Sequence, residues 1–260
     1  MKIMNNLRHT FRTNIFWKAF TILLIILFLI MFVRENWPYR IYHCLMNHNS
    51  STNSNPLDNP FFKFYIAQKN SLFEKFDCNN KIVFIGDSIT DGCEWNELLG
   101  RNDIANRGIN ADTTAGVLSR LDSYLKQKPK GIFIMIGGND INRSVGMDMI
   151  TSNYLKIIKK IKKNGTPLVV QSTLYNNFFN RDIFNAKVKI LNDFLITQCN
   201  LLSIPYINLN GQLSNSHYLL KCYSNDGIHL NGDGYMVWKN NIMPYIIKIS
   251  RDDQQGIVTK

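Results

Sequence analysis

Residues Ile82 to Thr90 read IVFIGDSIT, in which four strand-forming side chains are followed by a glycine and a short polar group. A short, unbroken apolar run that ends at a turn residue is typical of a strand buried on both faces. The segment therefore predicts a buried strand that ends at Gly86, with Ser88 in the turn that follows.

Similar apolar runs recur along the chain and alternate with segments of helical periodicity. The runs lie at residues 104–106, 132–136, 168–170 and 206–209. The helical segments lie at residues 113–125, 150–161, 188–196 and 234–247. This alternation predicts an α/β domain of three layers (α/β/α), in which helices cover both faces of a five-stranded parallel sheet.

Residues that are able to carry chemistry follow four of these strands. They are, in chain order, Ser88, Gly108, Asn139, Asp226 and His229. The carboxyl ends of parallel strands meet at one edge of the sheet, and ligands bind in the crevice beyond that edge. We therefore expect these residues to form one site.

The serine needs a base, because a hydroxyl group is a weak nucleophile at neutral pH. Of the 5 histidines, only His217 and His229 lie in the α/β part of the sequence. His229 follows Asp226 at a spacing that lets one tight turn bring the carboxylate to Nδ1 and leave Nε2 facing the serine. The pattern predicts a catalytic triad of Ser88, His229 and Asp226.

Ester chemistry also needs donors for the negative oxygen of the tetrahedral intermediate. Three donors are available, namely the backbone N–H groups of Ser88 and Gly108 and the side-chain amide of Asn139. A glycine at position 108 has no Cβ to keep the backbone away from the substrate. These three groups are the predicted oxyanion hole.

Three further residues are candidates for substrate contact, namely Asp87, Arg107 and Tyr175. Asp87 has an alternative role as a turn or capping residue. Tyr175 belongs to the stretch 171–182, which is rich in aromatic residues and asparagine and predicts a loop over the site. The aromatic rings of this loop either line an acyl or sugar pocket or simply pack against the domain.

The segments around Ser88, Gly108, Asn139 and His229 resemble the sequence blocks of the SGNH hydrolases, which are the GDSL-type esterases and lipases. The resemblance covers residues 82–247. One departure is an isoleucine where the name of the family has a leucine, directly after the serine. The chain has no G-x-S-x-G elbow, which argues against the α/β-hydrolase fold.

Two shorter segments, Trp95–Leu98 (WNEL) and Asn106–Ile109 (NRGI), further resemble one branch of this family. That branch contains platelet-activating-factor acetylhydrolase subunits and bacterial carbohydrate O-acetylesterases. The resemblance implies a flavodoxin-like three-layer fold and the hydrolysis of short acyl esters, acetyl esters in particular, without a metal ion or other cofactor.

The N-terminal part of the chain has a different composition. Residues 19–33 read AFTILLIILFLIMFV, and with the adjoining apolar residues they approach the ~20 residues of a membrane-spanning helix. Basic residues before this run favour a cytoplasmic N-terminus and an extracytoplasmic domain, whereas a cleaved signal peptide would give a secreted one. We predict a cytoplasmic tail at residues 1–14, a transmembrane signal anchor at 15–34 and a polar linker at 35–60. The hydrolase domain is predicted at residues 61–250 and a C-terminal tail at 251–260.

The net charge of +11 does not by itself indicate a nucleic-acid partner. The basic residues cluster around the apolar N-terminal run and at one helix end, without a nucleic-acid-binding motif, so we predict no nucleic-acid partner. The 5 cysteines form no C-x-x-C pair and no cluster with histidine, and we predict no metal site. Their disulfide state and the oligomeric state of the protein stay open.

The predicted partners are a small acyl-ester substrate, either an acetylated glycan or a lysolipid, and the membrane through the N-terminal helix. Three alternative functions stay open: a lysophospholipase or thioesterase, an acyltransferase at the membrane surface, and a catalytically silent glycan-binding module. The last is the least favoured, because a binding module has no need of a nucleophile together with its base.

Overall fold

The computed structural model describes Thr21, residues 60–178 and residues 181–258. The chain divides into two units, residues 1–54 and residues 55–260, and every described residue except Thr21 belongs to the second. The predicted cytoplasmic tail and almost all of the predicted anchor and linker lie outside the described residues, so these assignments stay predictions. Within the part that the structure describes, every helix is too short or too polar to cross a membrane.

A five-stranded parallel sheet lies at the centre of the second unit, in the order β2-β1-β3-β4-β5. The strands are β1 (Ile82–Gly86), β2 (Ile104–Gly108), β3 (Gly131–Met135), β4 (Leu168–Gln171) and β5 (Tyr206–Ile207). In this register Gly86 pairs with Gly108 on one side and with Met135 on the other. The predicted parallel sheet is confirmed, and the carboxyl ends of the neighbouring strands β2, β1 and β3 are level.

Helices surround the sheet. They are α1 (Pro60–Lys75), α2 (Ser88–Asp91), α3 (Trp95–Leu99), α4 (Thr114–Lys126), α5 (Gly138–Asn142), α6 (Met147–Asn164), α7 (Arg181–Leu202), α8 (Asn210–Leu213) and α9 (Gly232–Val258), with a 3₁₀ turn at Lys221–Tyr223. An antiparallel hairpin of β6 (Ser214–Asn215) and β7 (Tyr218–Leu219) was not predicted. Its strands are 2 residues long, which is too short to give a periodic pattern.

The two faces of the sheet are covered by different helices. Because side chains alternate along a strand, Val83 and Ile85 of β1 pack with α4, α6 and α7, whereas Ile82 and Phe84 pack with α3 and α9. All four side chains are almost completely buried, and burial of each such side chain contributes roughly 1.5–3 kcal/mol. The apolar run that opens the domain thus holds both helical layers to the sheet.

Aromatic packing holds the short helix α2 in place. The ring of Trp95 stacks on Phe84 with centroids 4.2 Å apart, and its indole N–H donates to the carbonyl of Thr90 at 2.9 Å. Trp238 of α9 packs edge-on against Trp95 at 4.9 Å. These contacts fix the helix that begins at Ser88.

The end of β2 is bound to the same helix. The side-chain amide of Asn106 donates to the carbonyls of Thr90, Asp91 and Cys93 at 3.1, 3.1 and 3.2 Å. Gly108 touches the helix backbone, because a Cβ at this position would lie 2.3 Å from the nitrogen of Asp91. Glycine is therefore required here by the close packing of α2 on β2.

Candidate active site

Ser88 is the first residue of α2 and directly follows the turn after β1. Asp87 caps this helix, since its side chain accepts the N–H group of Ile89 at 3.1 Å and its carbonyl accepts those of Thr90 and Asp91. The buried strand and the capped helix leave no freedom in the backbone at this corner. The serine is consequently held at the carboxyl edge of the sheet, as the sequence predicts.

The three residues of the predicted triad meet at this edge. Nε2 of His229 lies 2.9 Å from Oγ of Ser88, although the two residues are 141 positions apart in the chain. Nδ1 of the same ring lies 2.7 Å from Oδ2 of Asp226. The carboxylate accepts a hydrogen bond from the N–H group at Nδ1. Nε2 is therefore unprotonated and able to accept a hydrogen bond from the serine hydroxyl.

The acid and the base share one tight turn. Oδ1 of Asp226 accepts the backbone N–H groups of Ile228 and His229, each at 2.8 Å. Burial works to raise the pKa of Asp226, but the hydrogen bonds from the side chain and backbone of His229 and from Ile228 outweigh it and hold the pKa below its usual value. The carboxylate is therefore ionised wherever the imidazole acts as a base.

The loop that follows β4 packs against this turn. Gly227 has φ +80, and a Cβ there would lie 2.6 Å from the carbonyl oxygen of Asn177. The N–H group of Asn177 donates in turn to the carbonyl of Gly227 at 2.7 Å. A left-handed glycine is thus needed both for the turn geometry and for the close contact with the loop.

A small cavity of about 50 Å³ opens beside Ser88. It lies under the loop after β4 and is lined by Asp87, Ser88, Ile89, Met135, Gly138, Asn139, Asn142, Thr173, Leu174, Tyr175, Asn176, Phe184 and Ile228. Asn139, in the first turn of α5, has a side-chain amide without a hydrogen-bond partner among the described residues. The structure thus brings Asn139 and Tyr175 together with the nucleophile.

The backbone of Gly108 is not available for the predicted role. Its N–H group already donates to Oδ1 of Asn106 at 2.9 Å. The prediction that this group is an oxyanion donor is contradicted by that bond. The missing Cβ was expected to let the backbone of Gly108 approach the substrate, but the close contact that it allows is with α2.

The loop after Gly108 contains a residue that the sequence prediction missed. Ala111 has φ +62, a conformation that costs a non-glycine residue about 1–2 kcal/mol. Its carbonyl accepts Nη2 of Arg143, which caps the helix of Asn139, and its N–H group has no acceptor within the described part of the chain. An alanine carries no sequence signal for such a conformation, so only the backbone angles reveal it.

Arg107 does not contact the candidate site. Its guanidinium group donates to the carbonyls of Phe76 and Asn106 at 2.9 and 3.0 Å and lies over the ring of Phe73 at 4.8 Å from the centroid. The side chain is buried and is directed at α1 and the segment that follows it. The predicted substrate contact is therefore wrong, because this arginine ties the end of α1 to the sheet.

Asp87 is buried as well as being the helix cap. Burial is the largest effect on this carboxyl group, and together with the charges of Asp112 and Asp140 it raises the pKa of Asp87 to about 6. The N–H group of Ile89 and the charge of His229 oppose this rise. The charged carboxylate is thus an unfavourable feature of the folded protein at neutral pH.

We expect Asp87→Asn to raise the free energy of unfolding at pH 8. A rise of the pKa from 3.8 to about 6 corresponds to about 2–3 kcal/mol at 1.36 kcal/mol per pKa unit. Because the pKa in the folded state is the higher one, the cost of the charge is absent below about pH 4 and grows as the pH rises through 6. Asparagine keeps the capping oxygen for Ile89 while lacking the charge.

Urea denaturation between pH 4 and pH 8 measures this effect. The gain should be largest at pH 8 and should vanish at pH 4. The matched control is Asp122→Asn on α4, where the side chain is 63% exposed. A gain of the same size at every pH would contradict the explanation.

Comparisons with known proteins identify a family and several relatives. A family model described as the GDSL-like Lipase/Acylhydrolase family matches residues 84–237. The chain is 26% identical over 176 residues to an N-acylneuraminate cytidylyltransferase of Streptococcus agalactiae, covering 65% of this chain and only 41% of that relative. It is 25% identical over 171 residues to the human platelet-activating factor acetylhydrolase IB subunit alpha2, covering 61% and 74% of the two chains.

Solved structures share the fold. A GDSL-like lipase from Bacteroides thetaiotaomicron superimposes with a TM-score of 0.60 at 25% identity, covering 72% of this chain and 97% of that one. The region that the family model matches includes the end of β1, Ser88, and the turn with Asp226 and His229. Sequence and structure comparisons thus point to the same part of the chain as the geometry.

Proposed function

We propose that this chain, which belongs to the GDSL-like lipase/acylhydrolase family, is a carboxylic ester hydrolase. It removes acetyl or similarly short acyl groups from a carbohydrate through an acyl-enzyme on Ser88. The observation that carries the proposal is the cavity of about 50 Å³ beside Oγ of this serine. The small volume of the cavity favours a short acyl group. The exposure of His229 and Asp226 to solvent favours a bulky alcohol.

In the first half-reaction, Oγ of Ser88 attacks the acyl carbon while Nε2 of His229 takes the hydroxyl proton. Asp226 stabilises the imidazolium that forms, because its carboxylate lies 2.7 Å from Nδ1. The tetrahedral intermediate then expels the alcohol, which receives the proton from Nε2. In the second half-reaction, a water molecule gives one proton to Nε2 and attacks the acyl carbon. The resulting tetrahedral intermediate breaks its bond to Oγ, which takes the proton back from Nε2 as the carboxylic acid leaves.

The negative oxygen of the intermediate needs donors in the cavity. We assign this role to the side-chain amide of Asn139 and the backbone N–H group of Ser88, as the sequence indicates. The backbone N–H group of Ala111 takes the place that the sequence suggested for Gly108. It has no acceptor among the described residues and belongs to the loop bound to the helix of Asn139 through Arg143.

The cavity sets the length of the acyl group. A volume of about 50 Å³ is only a few times the ~10–15 Å³ that a cavity needs in order to hold one water molecule. The polar side chains of Asn142, Thr173 and Asn176 also line it, which is unfavourable for an alkyl chain. These features support an acetyl group over a long acyl chain.

The alcohol side of the ester faces solvent. The side chains of His229 and Asp226 are 46% and 49% exposed, so a large alcohol can reach Ser88 without entering the protein. One relative is named for an N-acylneuraminate, a sugar acid, and this name supports a carbohydrate as the alcohol. A membrane anchor at residues 15–34 would place the enzyme on the outer face of a membrane, and this location is part of the proposal.

Acyl-chain selectivity tests the proposed substrate class. For the purified full-length protein, we expect kcat/KM for p-nitrophenyl acetate to exceed that for p-nitrophenyl octanoate by roughly 100-fold, because forcing extra methylenes into a filled cavity costs about 1–3 kcal/mol. Phe184→Ala enlarges the cavity and should reduce this preference. A preference for the octanoyl ester would instead favour the lysophospholipase or thioesterase alternative.

A further inference from the structure

A second and larger cavity lies beside the acyl cavity. It has a volume of about 310 Å³ and is lined by Tyr175, Lys189, Asn192, Asp193, Ile196, Tyr206, Asn208, Asn210, Gly211, Ser214 and His217. Tyr175 lines both cavities and is their shared wall. The volume is at the lower end of the ~300–1,000 Å³ that is typical of small-molecule sites.

The two cavities lie along the same edge of the sheet. Ser88 follows β1, Asn139 follows β3, Tyr175 follows β4 and Asn208 follows β5. These strands are successive neighbours in the sheet, so the four residues form a row along its carboxyl edge. A chain-like ligand that reaches the nucleophile can therefore extend along this row into the second cavity.

Several polar groups in the second cavity are free to bind a ligand. The hydroxyl of Tyr175, the side-chain amide of Asn208 and the imidazole of His217 have no hydrogen-bond partner among the described residues. The amides of Asn192 and Asn210 differ, because they bond to the backbone of Thr173. The amides of Asn192 and Asn210 are thus held by the backbone, whereas Tyr175, Asn208 and His217 offer unpaired polar groups to a ligand.

The position of His217 is built into the hairpin of β6 and β7. Ser216 and His217 form its turn with φ 48 and φ 68, and non-glycine residues adopt this conformation at a cost of about 1–2 kcal/mol each. The carbonyl of His217 accepts Nδ2 of Asn185 at 2.7 Å, and its ring packs edge-on against Tyr175 at 5.2 Å. The turn holds the imidazole against the wall that the cavities share.

The charges in the second cavity favour an uncharged ligand. Nζ of Lys189 lies 2.7 Å from Oδ2 of Asp193, so the two charged groups neutralise each other. The remaining lining consists of hydroxyl, amide, imidazole and aromatic groups together with Ile196 and Gly211, and its described residues include no further carboxylate, lysine or arginine. Hydroxyl groups of a sugar donate to and accept from such side chains, and the ring of Tyr175 offers an apolar surface to a sugar ring.

We propose that the second cavity binds the sugar unit next to the one that carries the ester, so that the protein acts on an acetylated oligosaccharide or polysaccharide. This inference rests on the proposed esterase activity. Tyr175 lies between the two sugar units. The ester of the first sugar unit lies in front of Ser88, and the second sugar unit contacts Asn208 and His217. A substrate of two or more units is bound better than a monosaccharide.

Kinetics on matched esters test the proposal in the full-length protein. The substrates are acetylated xylose and xylotriose, and acetylated N-acetylglucosamine and chitotriose. We expect kcat/KM of the wild type to be roughly tenfold higher for the trisaccharide of at least one pair, since two neutral hydrogen bonds contribute about 1–3 kcal/mol. The double variant with Asn208→Ala and His217→Ala should lose this gain through a higher KM.

The same double variant should hydrolyse p-nitrophenyl acetate at the rate of the wild type, because that ester needs only the acyl cavity and the triad. Asn215→Ala, on the same hairpin but not in the cavity lining, is the matched control and should keep the trisaccharide gain. Equal kcat/KM for monosaccharide and trisaccharide in both pairs would overturn the proposal. An equal loss on all esters would also overturn it, since the side chains would then support the fold alone.

A binding measurement separates this proposal from the proposed function. Calorimetric titration of the Ser88→Ala protein with xylotriose and chitotriose, neither of which carries an O-acetyl ester, should show saturable binding to one of them. Adding Asn208→Ala and His217→Ala should weaken that binding roughly tenfold. Normal ester hydrolysis without such binding refutes the second site, whereas binding without hydrolysis refutes only the esterase.

Discussion

Ser88→Ala is expected to lower kcat for p-nitrophenyl acetate by roughly 10⁴-fold or more, because the variant has no atom that is able to form the acyl-enzyme. Any residual rate would come from the oxyanion donors and from substrate binding. The fold should persist, since α2 is capped by Asp87 and the variant loses only the 2.9 Å contact with His229. Initial rates, with thermal unfolding measured in parallel, give both quantities.

A fluorophosphonate probe gives a second measurement of the same prediction. It should label the wild-type protein at Ser88 and should leave the Ser88→Ala protein unlabelled. Ser119→Ala is the matched control, because that hydroxyl is exposed on α4 and donates only to the carbonyl of Gly116. Full turnover in Ser88→Ala, or a wild-type protein that folds but does not react, would refute the assignment of the nucleophile.

Asn139→Ala is expected to lower kcat by roughly 10²–10³-fold with little change in KM, which is the usual effect of removing one oxyanion donor. The amide should bind the oxygen only after it becomes negative, so its loss affects the transition state more than the bound ester. The side chain has no hydrogen-bond partner in the described part of the protein, and its removal should leave stability nearly unchanged. Steady-state kinetics with p-nitrophenyl acetate measure the effect.

Asn142→Ala is the matched control for this prediction. Asn142 lies on the same short helix and lines the same cavity. We expect its loss to lower kcat less than tenfold, because a lining residue that does not bind the developing charge contributes only ordinary contacts. Losses of equal size in the two variants, or an effect of Asn139→Ala on KM alone, would argue against an oxyanion donor at position 139.

The strengths and the errors of the sequence prediction have distinct physical origins. The strands were recognised because runs such as Ile82 to Ile85 carry the pattern in their own residues. The acid-base turn was recognised because Asp226 and His229 contact each other within 3 positions. Gly108 and Arg107 were given wrong roles, because contacts within the protein already occupy their polar groups. The N–H group of Gly108 donates to Asn106, and the guanidinium group of Arg107 donates to Phe76.

The sequence prediction missed two features of this region, namely the backbone conformation of Ala111 and the second cavity. The left-handed conformation of Ala111 is imposed by its surroundings, since alanine has no preference for it. The second cavity is formed where α7, α8, the hairpin and the ends of β4 and β5 pack together, and this packing is not encoded in any one of these segments. Stretch 171–182 was expected to cover the site, and Tyr175 is the residue of that stretch that separates the two cavities.

The sequence by itself determined the α/β class, the buried strand before Ser88, and the pairing of His229 with Asp226, because each depends on side-chain patterns within a few residues. Only the tertiary structure decided that Ser88 and His229 meet across 141 positions at 2.9 Å. It also decided that the N–H group of Gly108 is already bonded and that the space beside the nucleophile is about 50 Å³. Such distances and volumes result from packing between distant segments, which local preferences do not specify.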